Sequence, residues 1–478
     1  AGASTKPEGT AYGFPHDAIA AVVTGTIGSP QFPRPFAMTA SYDDGTTDHD
    51  AMGNAIPFDA TAQIPVVIVI PQGAAPAAGF PVVMFQHGLG GDRTTALAIA
   101  NELARSGIAT VAIDAPLHGM RDPTAADDAS NGVGTYAGPD GFADSSNPIV
   151  LLEVVGGIRN MLRTRDLIWQ FSFDLVQLRR MIDVVDLAAV ADEFGGVAPK
   201  LDATHVGFIG WSLGGLAGTT FNAITGGDRV DPVVLVSPAS NIVLLFADSP
   251  VYAAESGLLA AAANVRPPSL DAGRYSALLQ LLEGLVTTAD TGAFAPTLAS
   301  SHDVWLLVGG DDESVTPRSS DQLARALGAS QLLPALHPAD GVPQAASPLG
   351  AGASGHVAGY YAVSPGNHSH TFERFSTIGY EPPYPRPDDP RFVPLPAPLT
   401  IRQTTVGEQR AIAAYMHASW LGTPSISVSD PSFIGLAPVE DLDDDGFCDA
   451  DELAAGTDPY NPASKPTTAP SCPRDVGF

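Results

Sequence analysis

Short runs rich in Val, Ile and other strand-forming residues alternate along the chain with segments whose apolar residues recur at helical spacing. Residues 64–70, 81–87 and 109–114 are such runs, and turn residues separate them, which is typical of buried strands. A helical pattern occupies about 94–105, between the second and third runs. Because strand, helix, strand succession gives right-handed crossovers, this region predicts a parallel sheet flanked by helices.

The alternation continues towards the C-terminus. Helical spacing predicts helices over 163–190, 320–327 and 406–421, and two shorter helical patches at 242–246 and 275–286. Further strands are predicted at 206–210, 233–236 and 304–308, near Leu332, and at 356–363.

Three segments follow neither period. Residues 1 to about 60 are rich in Gly, Pro and Asp and predict an arm that wraps a larger domain. Residues 116–147 indicate a long loop, of a length that is usually functional. Eight prolines between Pro382 and Pro398 predict an extended surface strap, because proline cannot donate to a strand ladder.

Length and charge restrict the classes of protein that fit. At 478 residues the chain exceeds one ordinary core, so one large domain with an appendage, or two domains, is expected. Asp and Glu number 52 against 23 Lys and Arg, a net charge of −29. This charge opposes binding to nucleic acid or to an anionic membrane. No apolar run approaches the roughly 18 residues of a membrane span, while attachment to a surface stays open.

The ends of the chain indicate a compartment. The sequence starts with Ala1 rather than Met, which is typical of a mature end left after removal of a leader. Its two cysteines, Cys448 and Cys472, lie near the C-terminus. They favour one local disulfide in an oxidising compartment, with two free thiols as the alternative. A secreted or cell-surface protein is therefore expected.

The clearest chemistry lies in one pentapeptide, Gly210-Trp-Ser212-Leu-Gly214, which follows a buried run and precedes small and apolar residues. A serine on a sharp strand-to-helix turn is held out of the sheet, with its hydroxyl exposed and a helix N-terminus beneath it. Gly214 and Gly215 leave room for that helix to pack closely on the sheet. Ser212 is therefore the candidate nucleophile, with a plain tight turn as the alternative.

From about 55 to 421 the sequence resembles the α/β-hydrolase superfamily, on this turn and on the order of the polar residues after it. That family carries serine, acid and histidine in this chain order, at the carboxyl ends of strands. The resemblance implies an α/β-hydrolase fold, a mostly parallel sheet flanked by helices, with helical cap insertions. It also implies a catalytic triad.

The resemblance assigns the acid and the base of that triad. Asp312, shortly after the run at 304–308, matches the acid turn, with Asp311 as the alternative. His368 matches the histidine turn, with His370 as the alternative. The chemistry needs both groups, because an imidazole must take the serine proton and a carboxylate must fix the imidazole tautomer.

A second glycine-rich turn, His87-Gly-Leu89-Gly-Gly, ends a strand where the family builds its oxyanion hole. A developing oxyanion needs N–H donors already aimed at it, and a glycine-flanked turn lets the backbone aim them. The amides of Leu89 and Leu213 are the predicted donors, with a neighbouring amide of the loop as the alternative. His87 is interpreted as structural, because a base is already assigned.

Two sequence segments narrow the resemblance to a smaller group within the superfamily. Residues 85–92 and 113–119 are similar to bacterial extracellular lipases and surface lysophospholipases, which implies hydrolysis of carboxylic esters on lipid-like acyl chains. Asp114 and His118 are interpreted as shaping the loop beside the pocket rather than reacting. The insertion at 241–300 fits an acyl-binding cap, with ordinary helix packing as the alternative.

The acidic tail matches the twelve-residue calcium loop, with Gly446 at the sixth position. It also resembles the bacterial thrombospondin type 3 repeat, and a solvated acidic tail is the alternative. The candidate ligands of a structural calcium ion are Asp441, Asp443, Asp445, the Phe447 carbonyl, Asp449 and Glu452.

The predicted domains are an N-terminal arm over 1–54, an α/β-hydrolase domain over 55–425 with cap insertions at about 117–195 and 241–300, and a calcium-binding module over 430–478. The predicted function is a secreted bacterial serine hydrolase of the lipase or esterase kind, with no cofactor for catalysis. One alternative is the same triad acting on polyesters or peptides. The other is a non-catalytic, calcium-dependent surface protein on a hydrolase scaffold.

Overall fold

A central sheet of eleven strands organises the chain in its computed structural model. The structure describes residues 2–4, 18–34, 46–121, 161–225, 230–266, 268–310, 312–335, 338–363, 366, 368–372, 401–428, 447, 455, 457 and 465–467. The strands of this sheet are β1 (Gly2–Ser4), β2 (Ile19–Gly28), β3 (Gln63–Pro71), β4 (Phe80–Gln86), β5 (Ala109–Ile113), β6 (Leu201–Trp211), β7 (Val233–Val236), β8 (Val304–Gly309), β9 (Ser330–Leu332), β10 (Gln344–Ala345) and β11 (Ala358–Val363).

Neighbouring strands follow the order β1-β2-β3-β5-β4-β6-β7-β8-β11-β9-β10. The first three pairs are antiparallel, and every later pair is parallel. Every residue of β5, β7 and β8 is buried. Helices cover both faces of these strands, which is why the sequence shows them as continuous apolar runs rather than alternating ones.

Helices cover the sheet on both faces. On one face α1 and α9 pack against β4, β7 and β8, around Leu103, Trp305 and Tyr415. On the other face α2, α3, α7 and α8 pack around Phe171 and Phe221. The helices are α1 (Leu97–Arg105), α2 (Met161–Ile182), α3 (Leu213–Ile224), α4 (Ile242–Asp248), α5 (Ala253–Ala262), α6 (Pro268–Val286), α7 (Thr291–Ala299), α8 (Pro317–Leu327) and α9 (Ile401–Trp420).

Shorter elements complete the described part of the chain. The 3₁₀ turns are Arg93–Ala96, Gly119–Arg121, Ala188–Phe194 and Thr287–Ala289. Two pairs of two-residue strands lie outside the main sheet, Asp48–His49 with Ala55–Ile56 and Leu349–Gly350 with Ser425–Ile426. No described helix is both long and apolar enough to cross a membrane.

The insertion between β7 and β8 consists of the four helices α4 to α7. Besides the packing of α7 in the main core, it contacts the body of the protein through a small apolar cluster of Val243, Leu282 and Val286 with Met161 of α2. Other apolar residues of the insertion face solvent, among them Leu258, Leu270 and Leu281. The insertion therefore packs on the sheet domain with one side and presents leucines on another.

The mostly parallel sheet flanked by helices confirms the predicted fold class. The main difference lies at the N-terminus, where the sequence analysis expected an arm. Residues Ile19–Gly28 instead form a strand of the central sheet, antiparallel to β3 along nine paired residues. The proline strap at 382–398 and most of the loop at 116–147 lie outside the described residues.

Candidate active site

Ser212 lies between the last residue of β6 and the first residue of α3. Its backbone has φ 53° and ψ −116°, a conformation that L residues adopt only when their surroundings impose it. The neighbours do so, since the Ser212 N–H donates to the Val236 carbonyl at 2.8 Å. Gly214 is required beside it, because a Cβ atom there would lie 2.2 Å from the carbonyl oxygen of Gln86. The predicted strand, turn and helix around Ser212 are all present.

The candidate acid and base lie at the same edge of the sheet as Ser212. Strands β6, β8 and β11 are parallel and belong to one run of neighbours. Ser212 follows β6, Asp312 lies three residues after β8, and His368 lies five residues after β11. Parallel strands bring their carboxyl ends to one edge, so three residues distant in sequence converge there.

Asp312 and His368 form a direct pair. The His368 Nδ1 donates to Asp312 Oδ2 at 2.7 Å. The other carboxylate oxygen accepts from the backbone N–H groups of Ser314 and Val315, each at 2.8 Å. Asp312 is 3% exposed, so three donors satisfy a carboxylate that water barely reaches. With the proton held on Nδ1, the Nε2 of a neutral His368 is the nitrogen that can accept a proton.

Trp211 ties the histidine turn to the serine turn. The indole Nε1 donates to the His368 backbone carbonyl at 2.9 Å. The indole and imidazole rings are tilted against each other, with centroids 5.7 Å apart. Trp211, the residue immediately before the candidate nucleophile, therefore holds the backbone of His368 by a hydrogen bond and contacts its imidazole ring.

The alternative base, His370, has different surroundings. Its Nδ1 lies 2.7 Å from Glu408 Oε2, and both side chains are fully buried. The structure thus brings His368, and not His370, to Asp312. The alternative acid, Asp311, lies outside the described residues.

The glycine-rich turn after β4 lies against Ser212. A Cβ atom on Gly88 would lie 3.0 Å from the Ser212 Cβ, and the Gly91 N–H closes the turn onto the Gly88 carbonyl. Leu89 is thus the residue next to the point of contact. Leu213 is the first residue of α3, where a helix leaves its N–H groups without intrahelical partners. Leu213 thus follows the serine directly, and the turn that carries Leu89 lies against the serine.

His87 and His118 are buried beside this turn. The Ala115 N–H donates to His87 Nε2 at 3.0 Å, and His87 Nδ1 donates to the Gly88 carbonyl at 2.8 Å. Both ring nitrogens of His87 are therefore used in shaping the turn. Burial lowers the pKa of His87 to about 4 and that of His118 to about 3. Both rings are neutral at physiological pH.

Asp114 anchors the segment after β5. Its carboxylate accepts from the Arg93 guanidinium at 2.6 Å and from the Met120 N–H at 3.0 Å. Arg93 is 3% exposed and Asp114 is fully buried. This buried ion pair holds the loop at the sheet edge, in agreement with the interpretation of Asp114 as a loop-shaping residue.

Potential metal ligands cluster elsewhere in the described part of the chain. Asp231, Asp303 and His356 have ligand atoms within 4.8 Å of one another, at the amino ends of β7, β8 and β11 and hence opposite the serine. The two carboxylates accept from backbone N–H groups, Asp231 from Asp303 at 2.8 Å and Asp303 from Val357 at 3.1 Å. These contacts identify them as caps of strand starts. Of the predicted calcium ligands only Phe447 lies within the described residues.

A cavity of about 260 Å³ opens at the carboxyl edge beyond β5. Its described lining includes Arg34, Leu117, Arg121 and Gln170. Arg121 is already paired there, donating to Asp174 at 2.8 Å and to Gln31 at 2.7 Å. The lining contains no residue of the candidate triad.

No protein-family model matches the sequence, and no curated protein matches it. A protein from Bacteroides ovatus assigned as a dipeptidyl aminopeptidase IV covers 84% of this chain at 12% identity and a TM-score of 0.41. An acylaminoacyl peptidase from Pyrococcus horikoshii covers 65% of this chain at 12% identity and a TM-score of 0.35. An acetyl xylan esterase from Paenibacillus sp. R4 covers 60% of this chain at 16% identity and a TM-score of 0.35.

The chain spans 36% of the length of each of these two peptidases and 72% of the esterase. Likenesses this weak do not bear on which reaction the chain carries out. The fold class of the chain follows from its own strand order, from the strand-turn-helix at Ser212 and from the chain order of serine, acid and histidine at one sheet edge. The chain has the α/β-hydrolase fold.

Two residues of this site were missing from the sequence analysis. Trp211 lies inside the recognised pentapeptide, but nothing in the sequence indicates that its indole reaches residue 368. Glu408 lies on α9, 38 residues after its partner His370. Glu408 lies among other polar residues of α9, Thr405 and Gln409, and this pattern does not identify a partner.

Proposed function

We propose that this protein is a serine hydrolase that cleaves carboxylic esters through Ser212, His368 and Asp312. One observation carries the proposal, the 2.7 Å contact between His368 and Asp312 at the sheet edge on which Ser212 occupies its strained turn. The carboxylate of this pair is buried, and the pair follows strands that end at the same sheet edge as the serine strand. A triad requires this pairing.

The reaction divides into two acyl transfers. His368 Nε2 takes the proton from Ser212 Oγ as that oxygen attacks the ester carbonyl carbon, and the carbonyl oxygen becomes an oxyanion. The amides of Leu89 and Leu213 donate to this oxyanion. Collapse of the intermediate expels the alcohol, which receives the proton from His368. Water then repeats the sequence on the acyl-enzyme, releasing the carboxylic acid and restoring Ser212.

The helical insertion supports an apolar acyl group. Helices α4 to α7 enter the chain directly after β7, the strand next to the serine strand. Some of their leucines face solvent, with Leu258 58% and Leu281 66% exposed. Apolar surface beside an active site favours substrates with hydrocarbon chains, since each buried methylene contributes about 0.8 kcal/mol. The proposed substrate class is therefore esters with lipid-like acyl groups.

The calcium module and an extracellular location complete the proposal. Both rest on the sequence, through the spacing of acidic residues around Gly446 and the two cysteines near the C-terminus. Calcium has no part in the proposed chemistry, because the triad alone supplies nucleophile, base and acid. Its role is to fold the acidic tail.

The test is labelling of Ser212 with a fluorophosphonate, followed by a series of nitrophenyl esters from acetyl to long acyl groups. We expect one label per chain, located on Ser212, and activity that rises with chain length. Ser212→Ala should lose label and at least about 10³-fold in kcat while unfolding at the same temperature. Cleavage of peptide nitroanilides with better kcat/KM than any ester would shift the assignment to a peptidase. Absence of labelling in folded protein would leave only the non-catalytic alternative.

A further inference from the structure

The turn that carries His368 is fixed to the last long helix by a dense set of buried hydrogen bonds. Glu408 Oε2 accepts hydrogen bonds from His370 Nδ1 at 2.7 Å and from the Thr371 hydroxyl at 2.6 Å. Gln409 Nε2 donates to the Thr371 carbonyl at 2.7 Å, and the Thr405 hydroxyl donates to the His370 carbonyl. Residues 405, 408 and 409 lie on one face of α9, so one side of that helix holds two consecutive residues of the turn.

This contact lies two residues from the candidate base. His368 is held at its ring by Asp312 and at its carbonyl by Trp211. Only Ser369 separates it from His370, so a displacement of His370 moves the backbone on which the imidazole of His368 is mounted. The helix itself is anchored to the sheet domain, since Gln409 also donates to the Ala98 carbonyl at 2.9 Å.

Burial excludes direct participation of the pair in the reaction. His370 and Glu408 are both 0% exposed, whereas the side chain of His368 is 21% exposed. Neither His370 Nε2 nor Glu408 Oε1 has a hydrogen-bond partner within the described residues. Burial of an ionisable pair carries a desolvation cost that apolar side chains of similar volume avoid. Burial alone is therefore weak evidence that the pair serves only stability.

We propose that His370 and Glu408 are positioning residues, which set the place of His368 relative to Ser212 by fixing the histidine turn to α9. This inference rests on the proposed triad. The pair acts through geometry and not through charge transfer, because it has no path to the substrate. Displacement of a catalytic group by about 1 Å can cost on the order of 10²-fold in rate.

The central experiment compares Glu408→Ala with Glu408→Gln in the full chain, with kcat expressed per serine titrated by fluorophosphonate. Glu408→Ala removes the acceptor for both His370 and Thr371, and we expect kcat to fall about 10- to 100-fold with KM changed less than about threefold. Glu408→Gln keeps an acceptor oxygen at Oε2 and places its amide group at the position of Oε1. We expect it to retain at least a third of wild-type kcat.

A second variant keeps the inference testable where Glu408→Ala fails to fold. Thr405→Val preserves shape and removes the hydroxyl that donates to the His370 carbonyl, and we expect kcat to fall about three- to tenfold. The control is His205→Gln. His205 forms a more exposed pair with Asp202 at 2.6 Å. Its ring contacts Trp420 at the C-terminal end of α9, so the variant perturbs the same helix away from the histidine turn and should leave kcat unchanged.

These measurements distinguish a positioning role from the alternatives. A lower kcat in Glu408→Ala together with near wild-type kcat in Glu408→Gln supports positioning. An equal fall of kcat in both variants would assign Glu408 a charge-dependent role and would overturn the proposal. Normal kcat per titrated site in both Glu408→Ala and Thr405→Val, accompanied only by a lower unfolding temperature, would reduce the pair to a stabilising contact. Wild-type protein that does not react with fluorophosphonate would refute the triad itself, which none of the variant results can do.

Discussion

At the residue scale, the orientation of one imidazole depends on one carboxylate. Asp312 accepts from His368 Nδ1 and from two backbone amides. Asp312→Asn keeps the shape of the side chain but offers an amide group that can face the imidazole and reverse its tautomer. We expect kcat to fall about 10³- to 10⁴-fold with little change in the unfolding temperature. Steady-state kinetics and thermal unfolding of the variant measure both, and activity above a tenth of wild type would contradict the assignment.

Gly88 has a similar importance for the space around the serine. A side chain on this residue would approach the Ser212 Cβ to 3.0 Å and the Trp211 ring to 3.4 Å. We expect Gly88→Ala to push the serine from its place and to lower kcat about tenfold or more, measured with a short-chain nitrophenyl ester.

The matched control is Gly257→Ala, on α5, where an added Cβ would meet nothing within 4 Å. This variant should keep full activity and gain roughly 0.5–1 kcal/mol in stability, because alanine favours the helix. Equal loss of activity in both variants would show that flexibility of the chain, and not crowding at Ser212, is responsible.

At the element scale, the start of the first helical segment carries a buried acid. Asp92 caps the 3₁₀ turn by accepting from the Thr94 N–H at 2.7 Å. Burial, together with the charge of Asp114, raises the pKa of Asp92 from 3.8 to about 6. The folded state therefore binds this proton more tightly than the unfolded state does, and ionisation of Asp92 destabilises the fold above about pH 6. Below about pH 3.8 that cost is absent.

Asp92→Asn keeps the capping oxygen and removes the charge. We expect the variant to exceed wild type in free energy of unfolding by up to about 3 kcal/mol at pH 8, with the difference shrinking towards pH 4. Urea unfolding at both pH values measures it. Asp59→Asn, in an exposed turn, should give no gain at pH 8. A destabilised Asp92→Asn at pH 8 would mean that the charge itself supports the cap.

The elements differ in how far the sequence predicts them. Strands buried on both faces are continuous apolar runs, so β5, β7 and β8 appear within a residue of their predicted bounds. Helices α5 and α7 were not predicted, because their Ala- and Gly-rich sequences carry no polar stripe, and Pro296 interrupts the second. Strand β2 was missed because it lies inside a region, residues 1 to about 60, whose overall Gly, Pro and Asp content predicts irregular structure.

The contacts of the candidate site also divide into those that the sequence predicts and those that it does not. The pentapeptide around Ser212 is local, so sequence alone locates it, and the family resemblance supplies the acid and histidine turns. The contacts of Trp211 and Glu408 join segments 157 and 38 residues apart. Neither pair leaves a spacing or a period in the sequence. The folded sheet, which sets parallel strand ends side by side, determines the contact of Trp211, and the packing of α9 on the histidine turn determines that of Glu408.

At the scale of the whole molecule, the acidic tail is predicted to fold independently of the hydrolase. Acidic side chains crowded into residues 441–452 repel one another, and a loop of polar and small residues buries too little apolar surface to fold alone. Bound calcium relieves that repulsion. We expect truncation near Ser429 to leave ester turnover unchanged, and chelation to make only the tail sensitive to protease.

Proteolysis followed by mass spectrometry, with and without chelator, locates the sensitive segment. Magnesium in place of calcium is the control and should not restore protection, because it prefers a rigid octahedral shell of waters. Loss of turnover on chelation, reversed by calcium alone, would place the metal in the hydrolase domain and contradict the boundary at 430.

The docking of α9 against α1 and the histidine turn has a consequence for how the protein is made. Ser212 and Asp312 leave the ribosome long before α9, whose Glu408 and Gln409 hold residues 370 and 371 in place. A nascent chain that ends before residue 401 contains all three triad residues but not the helix that fixes them. The proposed hydrolysis should therefore begin only after residues 401–420 have been synthesised and have packed against the histidine turn.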